Sequence, residues 1–448
     1  MGARILRIEL RQSVALWAAL VIAATGLFVL FASNEPYGSW MQLVIVQRDI
    51  LQLTWPLALA AGAWQALRER RSRVEELMAT TPRPRWQRVL PVATAMAIAA
   101  AVAYLVMLAG AAGHLRNIDG YFSLGAIPII ALGVLAMVAA VWLGQAIGTL
   151  LPSPLTAPML VVIGFVGLAV SPMVVAQDSR DPGTFLLFPY LQGPRDGGFA
   201  LQMLSARANL SQALWFVALA ATGLAVFAAS RSGTRVAALL PLVIGAAIAV
   251  PAMPRTLSVA WIEDRRATEV VCTGDAPTVC IARVYLYALD HVRGPAGQAL
   301  SVLAAKLPPA PTRVLVTTAD RAAQDRPPDT LVVRVKVIED VLESSAEDLL
   351  WIMLNGAGVE PCVELMGPRE EQDARYEAAR LVAAAWLLGR DLPTAEGRKQ
   401  SPEQQALAAL RALPADEQQA RVAALRDAER TCAAGDRLEL LAGTSEAR

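Results

Sequence analysis

Apolar residues gather into seven long runs over the first 253 positions: Val14–Ala32, Ile50–Leu67, Val89–Ala112, Gly125–Leu151, Leu155–Met173, Gln212–Ala229 and Val236–Met253. A soluble helix sets a charged face against an apolar one. These runs do not, and Gly125–Leu151 holds no charged residue at all. Most approach the roughly 20 residues that a helix needs to cross about 30 Å of hydrocarbon. The pattern predicts an α-helical polytopic membrane domain of about seven spans. Small residues recur inside the runs, as at Ala60, Ala61, Gly62 and Ala63, where they would let helix backbones approach closely in lipid. The first run is too long for a signal-peptide core and has no A-x-A site directly after it. Amphipathic Ile5–Gln12 instead predicts an interfacial helix leading into the first span.

After Pro254 the pattern changes. Thr278–Val284, Thr312–Thr318 and Thr330–Ile338 read as strands, the last with a period of two. Glu370–Leu388 and Ala415–Cys432 read as helices, as does Ser401–Leu413, with Ser401 at the N-cap and Pro402 at the first turn. Asp320–Asp329 reads as a loop. The expected organisation is six spans over residues 1–230, an additional span over 231–253, and an α+β extracytoplasmic domain over 254–448.

Composition sharpens this division. Of 448 residues, 55% are hydrophobic and 18% charged, against about 25% charged in an average soluble domain. Those values exclude a disordered chain and argue against a purely soluble one. The net charge of +1 gives no global field toward nucleic acid. It conceals an asymmetry: Met1–Met253 carries 17 Arg and 10 acids, for +7, and the remainder carries 23 basic residues and 29 acids, for −6. With the N-terminus inside, 12 Arg fall in inner segments and 5, Arg48 among them, in outer loops. The positive-inside rule then puts the N-terminus in the cytoplasm and everything after Met253 outside. All four cysteines, Cys272, Cys280, Cys362 and Cys432, lie in that outer half. An even number in an exported domain predicts disulfides. Of three pairings, Cys272–Cys280 closes a short turn around Gly274, Asp275 and Pro277, and Cys362–Cys432 ties two distant segments; this is the expected one. No charged residue falls within the expected spans, so none marks an ion or proton route there.

The segment Arg68–Arg88, RERRSRVEELMATTPRPRWQR, joins the second and third spans on the cytoplasmic side. Val74, Leu77 and Met78 fall on one helical face. Ser72 and Glu75 match a capping box, and Pro82 and Pro84 stop the helix after Thr80 and Thr81. The loop resembles the coupling helix of ABC-2-type transporter permeases, in which a short helix, often with E-E-L and followed by T-T-P, docks on a cytosolic ATPase. The resemblance covers roughly Met1–Ser230. It extends to the amphipathic N-terminus and to a partly helical external segment between spans five and six, here Val174–Ser211, with an apolar run at Phe185–Leu191 and an amphipathic stretch at Phe199–Ala208. It implies coupling roles for Arg71, Ser72, Val74, Glu75, Glu76, Leu77, Met78, Thr80, Thr81, Pro82, Arg83 and Trp86. It also implies a cytosolic ABC ATPase as partner and a second permease subunit, identical or sibling. A standard member ends after six spans, so the seventh span and the external domain depart from the pattern.

Motifs for chemistry in the chain itself are missing. No G-x-x-x-x-G-K-[ST] loop occurs, so ATP and Mg would belong to the partner and no cofactor is expected here. Neither of the two histidines, His114 and His291, stands in an H-E-x-x-H motif. Glu339, Asp340 and Glu343 read as a solvated helix start rather than a catalytic pair, and Glu347 and Asp348 as a first helical turn. The chain is therefore expected not to be an enzyme. The leading expectation is the permease subunit of an ABC exporter. The alternative is a membrane-anchored extracytoplasmic sensor or binding protein without transport.

Overall fold

The computed structural model describes residues 14–32, 37–68, 85–115, 120–175, 183–191, 193, 200–317, 327–334, 345–362, 370–392, 401–433 and 435–443. It is mostly helical, and the chain divides into two compact units, Met1–Ala267 and Thr268–Arg448.

In the first unit the apolar runs become helices: α1 (Ala15–Ala32), α2 (Trp40–Asp49), α3 (Leu51–Ala66), α4 (Arg85–Ala112), α5 (Ala126–Leu150), α6 (Thr156–Val175), α7 (Ala206–Ala228), α8 (Ser232–Ala237) and α9 (Leu240–Ala252). Among the described residues five stretches are long and apolar enough to cross a membrane: α1, α4, α5, α7, and α8 with α9. A sixth is the pair α2–α3, bent by 50° at its break. Large apolar side chains stay exposed, among them Trp17 and Phe28 on α1, Met159 and Ile163 on α6, and Val243 and Ile248 on α9. A water-soluble surface avoids such patches; a surface facing lipid requires them.

α5 lies at the centre, packed on α3, α4 and α7. Glycines set how close it comes. A Cβ added at Gly62 would overlap the Val141 carbonyl, and one at Gly144 would overlap that of Leu59. The α3–α5 crossing is thus a backbone-to-backbone contact, as the small residues around Gly62 predict.

Three features of this unit depart from the sequence reading. The apolar run expected from Ile50 is preceded by a further helix, α2, which starts at Trp40 and meets α3 at the 50° bend, with Ser39 capping α2 through the Gln42 amide at 3.2 Å. Arg48, expected in an outer loop, lies instead in α2 and is fully buried. The expected spans hold no charge, but the helix before the second of them buries one. Second, the expected amphipathic stretch Phe199–Ala208 contains a strand, β1 (Gln202–Leu204), and α7 starts at Ala206, capped by Ser205. Third, residues after Pro254 continue in this unit: the short α10 (Leu257–Ala260) leads into β2 (Trp261–Glu263), antiparallel to β1 with Met203 opposite Ile262. Buried Asp264 ends the unit by accepting from the hydroxyls of Tyr121, at 3.2 Å, and Ser123, at 2.5 Å. The Ile5–Gln12 expectation lies outside the described residues.

The second unit holds a four-stranded sheet in the order β3 (Val270–Cys272), β4 (Thr278–Ala282), β5 (Arg313–Thr317), β6 (Thr330–Arg334). β3 and β4 are antiparallel; β4, β5 and β6 are parallel. Parallel neighbours need a crossover connection. Between β4 and β5 the chain supplies α11 (Leu289–Lys306), which the sequence reading missed. The later helices are α12 (Ala346–Leu354), α13 (Glu370–Leu388), α14 (Pro402–Arg411), α15 (Ala415–Thr431) and α16 (Arg437–Ala442). Glu347 and Asp348 stand in the first turn of α12, where Asp348 forms a capping box with Ser345. Glu339, Asp340 and Glu343 lie outside the described residues.

Candidate functional site

An irregular backbone cannot sit among apolar helices unless its polar groups are satisfied there. The segment from the 3₁₀ turn Gly183–Leu187 to Leu191 meets this condition in the first unit. Phe185, Leu186, Tyr190 and Leu191 are buried. Three of its carbonyls accept from side chains of the helices: Leu186 from Gln212 Nε2 at 3.0 Å, Leu187 from Trp215 Nε1 at 2.8 Å, and Pro189 from Arg48 Nε at 3.1 Å. The Tyr190 hydroxyl pairs with that of Ser171 on α6 at 2.9 Å. Side chains of α2, α6 and α7 thus dock this segment into the helix bundle.

Arg48 is the charged member. It stands one residue before the end of α2 and has no exposed surface. Its Nη1 donates to the Ile129 carbonyl of α5 at 3.2 Å, and its guanidinium lies 5.9 Å from the Phe216 ring centroid. Its Nη2 has no hydrogen-bond partner. Its sequence neighbour Gln47, also fully buried, donates to the Tyr104 carbonyl at 2.8 Å. The Tyr104 hydroxyl is buried against Gly133 of α5, where a Cβ would overlap it, and has no partner. Oε1 of Gln47 and of Gln212 are likewise unpartnered. The arrangement is a polar centre in an apolar surround, with one positive charge and unused donors and acceptors.

The sequence reading missed this centre. The signal was present: Trp40–Ala66 is one long, largely apolar stretch interrupted by Gln47, Arg48 and Asp49. Hydrophobic segments broken in this way mark binding sites in membrane transporters.

Of the residues singled out in the loop, Arg71, Ser72, Val74, Glu75, Glu76, Leu77, Met78, Thr80, Thr81, Pro82 and Arg83 lie outside the described residues. Trp86 is described; it stands in the first turn of α4 and is 56% exposed. The cysteines are brought together in the expected pairs. Cys272 and Cys280 face each other across the β3–β4 register, with sulfurs 2.03 Å apart. Cys362 and Cys432 meet at 2.18 Å across 70 residues.

Beside the second pair lies a buried ionic cluster. Glu429, fully buried, accepts from the Tyr376 hydroxyl at 2.6 Å, Arg380 Nη1 at 2.6 Å and Arg437 Nε at 3.1 Å. The Cys362 amide donates to the Tyr376 oxygen at 2.9 Å. Burial pushes the Tyr376 phenol up to about 12, against the pull of Arg380. Burial likewise raises the Glu360 carboxyl, although Arg334 stands 2.5 Å away. Asp436 is held below the usual carboxylate range: partial burial opposes this, but hydrogen bonds from Arg375 and from the Glu439 and Leu438 amides outweigh it. These groups pair with one another and read as architecture. His291 lies on α11, and among the described residues no group of three or more His, Cys, Asp or Glu could hold a metal ion. Comparison with family models, with curated proteins and with solved structures finds no match to this chain.

Proposed function

We propose that the chain is the membrane-spanning permease subunit of an ABC transporter, acting as an exporter and driven by a separate cytosolic ATPase. The observation that carries this is the loop RERRSRVEELMATTPRPRWQR, with its resemblance to an ABC-2 coupling helix. The frame around the loop supports the reading. α3 ends at Ala66 and α4 begins at Arg85, so the loop joins two consecutive apolar helices at one end of each. The segment 183–191 lies between α6 and α7 in chain order, inside the stretch Val174–Ser211 that the resemblance matches to the family's external segment, which supports the reading. On this reading α1, α2–α3, α4, α5, α6, α7 and α8–α9 are seven spans. The N-terminus is cytoplasmic, and Thr268–Arg448 is extracytoplasmic, where its two cysteine pairs would stay oxidised. The permease would assemble with a second copy or a sibling, and ATP and Mg would be held by the ATPase.

Replacement of Glu75, Glu76 and Leu77 by alanine tests the reading. The expected result is normal membrane insertion with loss of ATPase binding and of ATP hydrolysis by the complex. Unchanged association with every cytosolic partner would contradict it and favour a membrane-anchored sensor.

A further inference from the structure

A guanidinium buried among apolar helices is costly unless charge and hydrogen bonds both compensate it. Arg48 has only part of that compensation. Two of its nitrogens reach carbonyls and one ring faces it, but no ion pair reaches it among the described residues, and Nη2 is free. Asp49, next in the chain, is exposed. A second buried donor lies close by. Arg48 Nη1 rests on the Ile129 carbonyl, and the Tyr104 hydroxyl rests on Gly133, one turn further along α5. That hydroxyl is also free. The free acceptors Gln47 Oε1 and Gln212 Oε1 belong to the same centre but are neutral, so the charge of Arg48 still calls for an acceptor that carries negative charge. Water would satisfy the hydrogen bonds and leave the charge uncompensated.

The position suits a ligand. Arg48 adjoins the 50° break between α2 and α3. A broken helix offers a binding group among packed helices without unfolding a whole span. Apolar side chains surround the polar centre: Met41, Ile45, Ile129 and Phe216 are buried on the same elements, α2, α5 and α7.

We propose that Arg48 and Tyr104 form a binding site for an oxyanion, a carboxylate or phosphate group, within the helical unit. On the transporter reading above, on which this step rests, the oxyanion is the head of an amphiphilic cargo whose apolar chain lies among the helices. Arg48 supplies the charge and one hydrogen bond, and Tyr104 supplies a second.

The test uses the purified full chain in phosphatidylcholine nanodiscs, without any ATPase, titrated with dodecyl phosphate, dodecanoate, dodecanol and inorganic phosphate. Saturable binding of dodecyl phosphate and dodecanoate, but not dodecanol, is expected. Loss of a charged hydrogen bond in Arg48→Met weakens that binding roughly tenfold or more. Tyr104→Phe removes only an unpartnered hydroxyl, so it keeps the thermal stability of the parent while affinity falls by about threefold to tenfold. If Arg48→Met does not fold, Tyr104→Phe decides the matter alone. Binding of inorganic phosphate that depends on Arg48 would keep the oxyanion site and overturn the amphiphilic cargo. Equal affinities in parent and both variants, or equal binding of dodecanol, would overturn the site; Arg48 would then serve only to hold the end of α2. Because no ATPase takes part, failure here is distinct from failure of ATPase docking.

Discussion

At the scale of single residues, buried charge decides what each unit tolerates. Glu429 is fully buried and accepts from Tyr376, Arg380 and Arg437. Removing it leaves Arg380 and Arg437, both buried, without their counter-charge. Glu429→Ala should cost the second unit about 3–5 kcal/mol, read as a lowered denaturation midpoint of the full chain in detergent; a midpoint unchanged from the parent would contradict the cluster's role. Tyr376 links that cluster to pH. Its pKa is raised from the usual 10 to about 12, so the folded state holds the proton longer than the unfolded chain does. Its contribution is complete below pH 10 and is lost as pH rises from 10 to 12. Part of the stability lost between pH 9 and 11.5 should vanish in Tyr376→Phe, and an identical loss in both proteins would refute the assignment. Little of this was legible in the sequence. Arg48 resembled a loop arginine because the groups that satisfy it, at Ile129 and Pro189, are 81 and 141 residues away. Glu429 resembled one of many exposed acids on a charged helix for the same reason: its partners Arg380 and Tyr376 lie 49 and 53 residues upstream.

At the scale of elements, legibility follows how local the cause is. Gly125–Leu151 was expected and Ala126–Leu150 is observed, because a long uninterrupted apolar run needs no distant partner to be helical in lipid. Ser401 and Pro402 fixed the start of α14, whose capping box closes through Gln404. By contrast, β1 takes its conformation from β2, some 60 residues later, and nothing near Gln202 announces it. The docked segment 183–191 depends in the same way on side chains brought from α2, α6 and α7. Trp215→Phe deletes the donor to Leu187. Amide exchange over 186–191 should quicken while the centres of α5 and α7 stay protected; unchanged exchange in the segment would show that it is held by packing alone. The cysteine pairs differ in the same sense. The 70-residue link from Cys362 to Cys432 removes about 4 kcal/mol of unfolded-chain entropy, and the eight-residue link from Cys272 to Cys280 about 2.5 kcal/mol. Breaking the first by Cys362→Ala with Cys432→Ala should therefore lower the melting temperature of the second unit more than breaking the second. Equal losses would show that strain or residual structure outweighs chain entropy.

At the scale of the whole molecule, the two units differ in their means of cohesion. The first is held by close backbone contact around α5 and exposes apolar side chains, and the second by a small mixed sheet, two cysteine pairs and a buried ionic cluster. That contrast suits a chain that crosses a membrane and folds a domain in an oxidising space. Charge points the same way, since the excess of arginine falls in segments read as cytoplasmic. On the proposed function, the loop between α3 and α4 would dock the partner that drives the helices. The most direct measurement is purification of the tagged chain from its native membrane in mild detergent, with mass spectrometry of the proteins that accompany it. A stoichiometric cytosolic ABC ATPase is the predicted result. A preparation that is folded and at full yield but free of any ATPase would contradict the permease assignment.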